Sequence, residues 1–224
     1  MRSDLLKQVL KNERFHTLNK RLLEACKAND FNTISKLIEE GAALHLCEGV
    51  EIHSYDEHEN SPLHLAAQNK ALETAKLLIK KGAKVDAKNR RQQTPLHLAC
   101  YHNDLPMINF LTTAGADIEA LEDYQDTPLA WAAYTGNTAV VERLLGLGAN
   151  IHHANRDNDT ALHWACYKGH TATATLLISK GADFDKLNNA GFTPLDCAIE
   201  NGHRETVLLF IEIEKQRVIK NLKN

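Results

Sequence analysis

The 224-residue sequence predicts an all-α fold, a solenoid of about six helical repeats with a 33-residue period. Three observations predict it. The tetrapeptide Ser61-Pro62-Leu63-His64 returns as Thr94-Pro95-Leu96-His97, Thr127-Pro128-Leu129-Ala130, Thr160-Ala161-Leu162-His163 and Thr193-Pro194-Leu195-Asp196, each start 33 residues after the last. A second marker keeps the same step at Gly82-Ala83, Gly115-Ala116, Gly148-Ala149 and Gly181-Ala182. Between the markers, apolar residues recur at helical spacing in runs too short to be stable alone in water, so each unit must be held by its neighbours.

Residues 1–19 supply a leading helix through Leu5, Leu6, Val9 and Leu10. Residues 20–60 read as a capping repeat that lacks the Thr-Pro start: Leu22, Leu23, Ala25 and Cys26, then Ile34, Leu37 and Ile38, ending at Gly41-Ala42. Gly41 and Gly82 are 41 residues apart, eight more than the period, which places an insertion between Leu44 and Asn60. Internal repeats follow at 61–93, 94–126, 127–159 and 160–192. In each, Thr or Ser caps the free N–H groups of a first helix, and Pro in its first turn loses no hydrogen bond. That helix should close near Asn103, Gly136, Gly169 or Gly202, residues that tolerate a left-handed backbone. A second helix then carries stripes such as Ala75, Leu77, Leu78 and Ile79, or Val140, Val141, Leu144 and Leu145. The final repeat, 193–224, runs through Thr206, Val207, Leu208, Phe210, Ile211 and Ile213 with no Gly-Ala stop, and Lys215 to Asn224 reads as a polar cap fraying at its end. No linker divides the chain, so 1–224 is expected to be a single domain.

This pattern resembles the ankyrin repeat. The residues that carry the resemblance are the 33-residue period, the Thr-Pro-Leu-His signature, the turns Gly169-His170 and Gly202-His203, and the endings Gly115-Ala116-Asp117 and Gly181-Ala182-Asp183. The resemblance implies a helix-turn-helix plus a β-hairpin loop per repeat, with His64, His97 and His163 tying neighbouring repeats together. It also implies a concave side formed by first helices and hairpin tips. The chain departs from the pattern in two places. The hairpin glycine is replaced by Gln92, Gln125 and Asn158, with Gly191 alone keeping it, and Lys70 stands where Gly136, Gly169 and Gly202 stand. Strain or a changed turn is expected at Lys70.

Composition narrows the function classes. A net charge of −3, with 43% apolar and 25% charged residues, argues against an electrostatic grip on nucleic acid or on a membrane surface. No apolar run is long enough to span a bilayer, and the N-terminus lacks the apolar stretch of a secretory signal. Five cysteines, far apart and without a C-x-x-C pair, argue for a reduced, cytoplasmic protein. Cys26, Cys100 and Cys166 fall in the phase of Ala67 and Ala133, a small buried position.

Candidate chemistry is sparse. His45, Cys47, His53, Asp56 and His58 in the insertion are of metal-ligand type, but their spacing matches no zinc signature, so no metal is expected. The same loop is acidic, with Glu48, Glu51, Asp56, Glu57 and Glu59, and reads as solvated. Gly146-Leu147-Gly148 ends a helix and is not preceded by a strand, so it is no dinucleotide fingerprint. No nucleophile elbow, zinc-protease or phosphate-loop motif occurs; no cofactor is expected, and the chain is expected not to be an enzyme.

The aromatics are placed differently. They make up only 6% of the chain, yet Trp131 and Trp164 are one period apart, and Tyr101, Tyr134 and Tyr167 form a second series with the same step. Equal phase in a solenoid means one face of adjacent layers. Tyr and Trp are the residue types that most often anchor interfaces. His102, Tyr124, Arg156 and Lys168 border the strip and complete a candidate partner-binding surface. The function expected is a non-enzymatic interaction module or scaffold, a monomer that binds a protein of unknown identity through the concave face of the stack. The alternative is a translocated bacterial effector that uses the repeats to engage proteins in a host cytosol. The resemblance also raises asparagine hydroxylation, but the matching positions are Asp86, Glu119, His152 and Asp185, and none is Asn.

Overall fold

A computed structural model describes residues 17–18, 20–42 and 58–222. The leading helix of Leu5, Leu6, Val9 and Leu10 lies outside the described residues, as do His45, Cys47, His53, Asp56 and the acidic Glu48, Glu51 and Glu57. Helices come in pairs. They are α1 (20–27) with α2 (Phe31–Ala42), α3 (Pro62–Gln68) with α4 (Leu72–Lys80), α5 (Pro95–Tyr101) with α6 (Leu105–Thr113), α7 (Pro128–Thr135) with α8 (Thr138–Gly146), α9 (Ala161–Tyr167) with α10 (Thr171–Ser179), and α11 (Pro194–Glu200) with α12 (Arg204–Leu222). The fold is an all-α repeat solenoid. Among the described residues the only β-pairing outside helices and turns is the Ala154–Thr160 bridge, so the hairpin loops are turns rather than strands.

The repeat signature explains where each first helix starts. The hydroxyl of Thr127 accepts from the Ala130 N–H, and that of Thr193 from Asp196 N–H at 3.2 Å. Where the fourth residue is His, the ring closes a reciprocal cap. His64 Nδ1 accepts from Ser61 N–H at 3.1 Å, and His163 Nδ1 does the same from Thr160 N–H at 3.1 Å. With Nδ1 accepting, the proton sits on Nε2, which donates to the backbone carbonyl of Gln93 at 2.8 Å from His64 and of Phe192 at 3.3 Å from His163. One ring thus starts a helix and holds the following loop. Burial keeps His163 below the ordinary histidine pKa and so in the neutral form that this arrangement needs.

Each first helix is seven or eight residues long and is too short to persist without burial. Burial is supplied by Leu63, Leu96, Leu129 and Leu162 from first helices and by Leu78, Leu111, Leu144 and Leu177 from second helices, all essentially without solvent contact. Each such leucine contributes about 1.5–3 kcal/mol. Second helices end where Gly82, Gly115, Gly148 and Gly181 take φ values of 92° to 94°, turning the chain so that the next N–H reaches back into the helix, as Ala83 does to Leu78 O at 3.0 Å.

The chain divides into two compact units. The first comprises the described residues up to Ala99 and Pro106–Ala116, and in it α4 packs on both α2 and α3. The second comprises Cys100–Leu105 and the described residues from Asp117 onward. In it α9 lies between α7 and α11 in one layer, and α10 lies between α8 and α12 in the other. α12 runs for 19 residues, so the polar tail expected from Lys215 is, through Leu222, the continuation of this helix.

The loops share a device. The side chain at one loop position accepts two backbone N–H groups at i+2 and i+4: Asn89 from Arg91 and Gln93, Glu122 from Tyr124 and Asp126, Asn155 from Asp157 and Asp159, and Asn188 from Ala190 and Phe192. The three asparagines also donate to the preceding loop, Asn89 to Asn60, Asn155 to Asp126 and Asn188 to Asp159. Gln92, Gln125 and Asn158 hold φ of 59° to 64° in these loops, the left-handed backbone that glycine would adopt without cost. Lys70 likewise holds φ 57°, and Ala71 N–H reaches Ala66 O at 2.8 Å just as His170 N–H reaches Ala165 O at 2.8 Å. The turn at Lys70 is therefore not rerouted; the lysine is forced into it.

Candidate functional site

The nine residues singled out by phase all lie in the second unit. Tyr101 ends α5, Trp131 and Tyr134 lie on α7, and Trp164 and Tyr167 lie on α9, while Tyr124 and Arg156 occupy loop tips. Tyr101, Tyr124 and Tyr167 are exposed at 44%, 65% and 42%; the two tryptophans and Tyr134 are half-buried. The rings do not stack in same-residue columns. Tyr101 meets Trp131 edge-to-face at 5.5 Å, and Tyr134 meets Trp164 in the same manner at 5.5 Å, so each tyrosine abuts the tryptophan of the following repeat. Tyr101 also contacts His102 at 5.2 Å, and Trp164 contacts Tyr167 at 5.9 Å, both near perpendicular. Such pairs contribute about 0.5–1.5 kcal/mol beyond the area they bury, and the half-exposed rings keep an open edge.

Lys168 crosses this strip. Its Nζ lies 4.4 Å from the Tyr134 ring centroid and 5.3 Å from that of Tyr167. The ammonium is held above the ordinary lysine range, chiefly by a side-chain hydrogen bond with Tyr134. Arg156 is exposed at its loop tip, where its N–H bonds to Tyr124 O at 3.0 Å and its carbonyl accepts from Asn189 at 2.9 Å. A backbone hydrogen bond thus joins Arg156 to Tyr124.

Trp164 has a second attachment that the phase does not disclose. Its indole N–H donates to Asp126 Oδ1 at 2.9 Å, and Asn155 Nδ2 donates to the same oxygen at 3.0 Å. Asp126 is buried, and burial pushes its carboxyl up to about 6, against the two hydrogen bonds that favour the charge. Burial also raises Glu122. Glu122 and Asp126 are thus structural acceptors. A signal was present in Glu122, which occupies the phase of Asn89, Asn155 and Asn188.

Beyond Trp164 the strip opens into a recess of about 310 Å³ lined by Asp159, His163, Trp164, Tyr167, Asn188, Phe192, Cys197, Glu200 and Asn201. Rings, carboxylates and empty volume coincide there. His170 and His203, which follow turn glycines, take no part: their Nε2 atoms bond to the carbonyls of Tyr134 at 3.0 Å and Tyr167 at 2.9 Å.

The described cysteines offer no nucleophile. Cys26, Cys100, Cys166 and Cys197 are free and buried, and burial pushes the thiols up, to about 12 for Cys26 and about 11 for Cys197. No cluster of three metal-ligating side chains occurs among the described residues. No helix among them is long and apolar enough to cross a membrane.

The family model for ankyrin repeats (3 copies) matches residues 3–89, 22–122, 86–155 and 129–221. No protein of curated description matches the chain.

Proposed function

The chain belongs to the ankyrin repeat family, whose repeats are generally protein–protein interaction modules, and from that premise we propose that it is a non-enzymatic module gripping a partner protein through the first-helix face of its second unit. The observation that carries this reading is the strip of Tyr101, Trp131, Tyr134, Trp164 and Tyr167 with His102 and Lys168 against its rings, and the reading extends the surface to Tyr124 and Arg156 at the loop tips. A packed core spends its aromatics in the interior; here the most exposed members are tyrosines with a free edge, the type that supplies large contact area with few rotors. The same reading takes the protein as a cytoplasmic monomer with 1–224 as one domain, built of repeats at 61–93, 94–126, 127–159 and 160–192 between its capping repeats.

Tyr124 and Tyr167 make the cleaner test, because Trp164 also holds the Asp126 loop. Capture from a lysate of the native organism would compare wild type with the double variant Tyr124→Ala/Tyr167→Ala. The variant should keep its thermal midpoint within a few degrees and lose partners retained by wild type, with about 2 kcal/mol or more lost if these are anchors. A folded variant that captures the same proteins to the same extent sinks the reading.

A further inference from the structure

We propose that the recess beside Trp164 and Tyr167 receives the guanidinium of an arginine side chain carried by a partner protein. This deepens the interaction reading above and rests on it. The register of the ladder makes the argument. Tyr101 meets the ring thirty positions on, Trp131, and Tyr134 meets the ring thirty positions on, Trp164. The same step from Tyr167 reaches Cys197, which has no ring to offer, and there the 310 Å³ recess opens.

The cation of the strip is missing at the same place. Lys168 covers the rings of Tyr134 and Tyr167; one period later the chain carries Asn201, which is neutral and lines the recess. The tyrosine series ends there too, with Glu200 in the phase of Tyr167. The lining therefore holds four rings, His163, Trp164, Tyr167 and Phe192, and two carboxylates, Asp159 and Glu200, with no lysine or arginine, and burial keeps the His163 imidazole neutral. Asp159 accepts one hydrogen bond from Asn188 at 2.8 Å through Oδ1.

These surroundings select one chemistry. An anion would face two carboxylates, and an apolar chain would strip water from them without compensation. A guanidinium is planar enough to lie on an aromatic face and presents paired donors that match a carboxylate, whereas an ammonium offers a point charge without the fork. The site thus lies at the end of the strip, where neither ring nor lysine continues, leaving room for a partner to supply both together as one flat cationic group.

The test is a titration of the isotope-labelled full chain with the tripeptide acetyl-Gly-Arg-Gly-amide, followed by the two indole N–H resonances, with the citrulline and lysine tripeptides as comparators. Citrulline keeps the shape of arginine and removes its charge. The arginine peptide should shift the Trp164 resonance saturably and leave Trp131 in place, with citrulline and lysine weaker by about tenfold or more in Kd. Glu200→Arg, at an exposed position, should abolish the response while leaving the remaining spectrum superimposable. No response at Trp164, or citrulline or lysine matching arginine, overturns the inference. Protein capture that depends on Tyr124 and Tyr101 yet is indifferent to Glu200→Arg would overturn it as well, and would leave the wider interaction reading standing. Arginine titration intact with no protein capture at all would overturn the wider reading instead.

Discussion

The indole N–H of Trp164 on α9 donates to Asp126, 38 residues earlier in the loop that precedes α7, at 2.9 Å. A tryptophan of the exposed strip is thereby fixed by a carboxyl that is itself buried, and the protonation of that carboxyl becomes a property of the strip.

Stability should accordingly depend on pH through Asp126. Its folded pKa is raised from 3.8 to about 6, so folding favours the protonated acid. The stability it contributes is fully present below pH 3.8, is lost as pH rises through 6, and leaves a cost on the order of 3 kcal/mol above that. Asp126→Asn keeps an Oδ1 acceptor for Trp164 and Asn155 and carries no charge. The variant should exceed wild type in stability by up to about 3 kcal/mol above pH 6, with the difference shrinking toward pH 4. Urea midpoints for both proteins across pH 4–7.5 measure it; titration of His163 is common to both and cancels in the difference. A difference flat with pH would refute the assignment.

The double duty of the signature histidines predicts a large loss on replacement. His163→Phe retains ring volume but leaves the buried Thr160 N–H without its acceptor, while the Phe192 carbonyl keeps only its bond from the Asn188 N–H. A cost of about 1–3 kcal/mol is expected from the one abandoned donor, readable as a lower urea midpoint. His64→Phe should behave alike, since it leaves the Ser61 N–H unpaired and the Gln93 carbonyl with the Asn89 N–H alone.

Left-handed positions predict opposite signs for opposite exchanges. A Cβ on Gly136, where φ is 77°, would lie 2.4 Å from the His170 ring, which is held by its bond to Tyr134 O. Gly136→Ala should therefore cost about 3 kcal/mol. Gln125→Gly and Lys70→Gly, at φ 64° and 57°, relieve the same backbone and should stabilise by about 0.5–1 kcal/mol after the entropy of the unfolded glycine is counted. Calorimetric midpoints of the single variants compare them directly.

Thiol reactivity offers a further check. Cys26, Cys100, Cys166 and Cys197 should react with a disulfide reagent only as the protein unfolds, because each is buried and its thiolate disfavoured. Modification of these four, located by peptide mass under native conditions and again in urea, should go from none to all. Fast native labelling of Cys166 or Cys100 would contradict the packing described.

Much of the fold was legible because Thr-Pro caps and Gly-Ala stops are local chemistry, written at fixed positions such as Thr127 and Gly148 and read without knowledge of neighbours. The resemblance to ankyrin repeats rested on those same residues. The loop ladder of Asn89, Asn155 and Asn188 was not legible, since a loop asparagine bonds to its own backbone and to the preceding loop only once both are placed. At the site, equal phase groups Tyr134 with Tyr167 and Trp131 with Trp164, whereas the ring contacts run between unlike members, Tyr134 to Trp164, because side-chain direction carries each ring toward the next repeat. Cys197 in the phase of Trp164 was visible in the arithmetic; that it opens a recess follows only from the ring that Tyr167 lacks there.

Among the described residues, side-chain hydrogen bonds between repeats join residues such as His153 and Gln125, 28 positions apart, and Asn69 and Cys26, 43 apart. None asks distant parts of the chain to find each other. The entropy of loop closure is thus set by about one repeat wherever a bond forms, and adding a repeat lengthens the molecule without lengthening any search. Folding can begin at whichever neighbouring pair first buries its leucines and spread outward, so speed in this chain is a local quantity, independent of its total length.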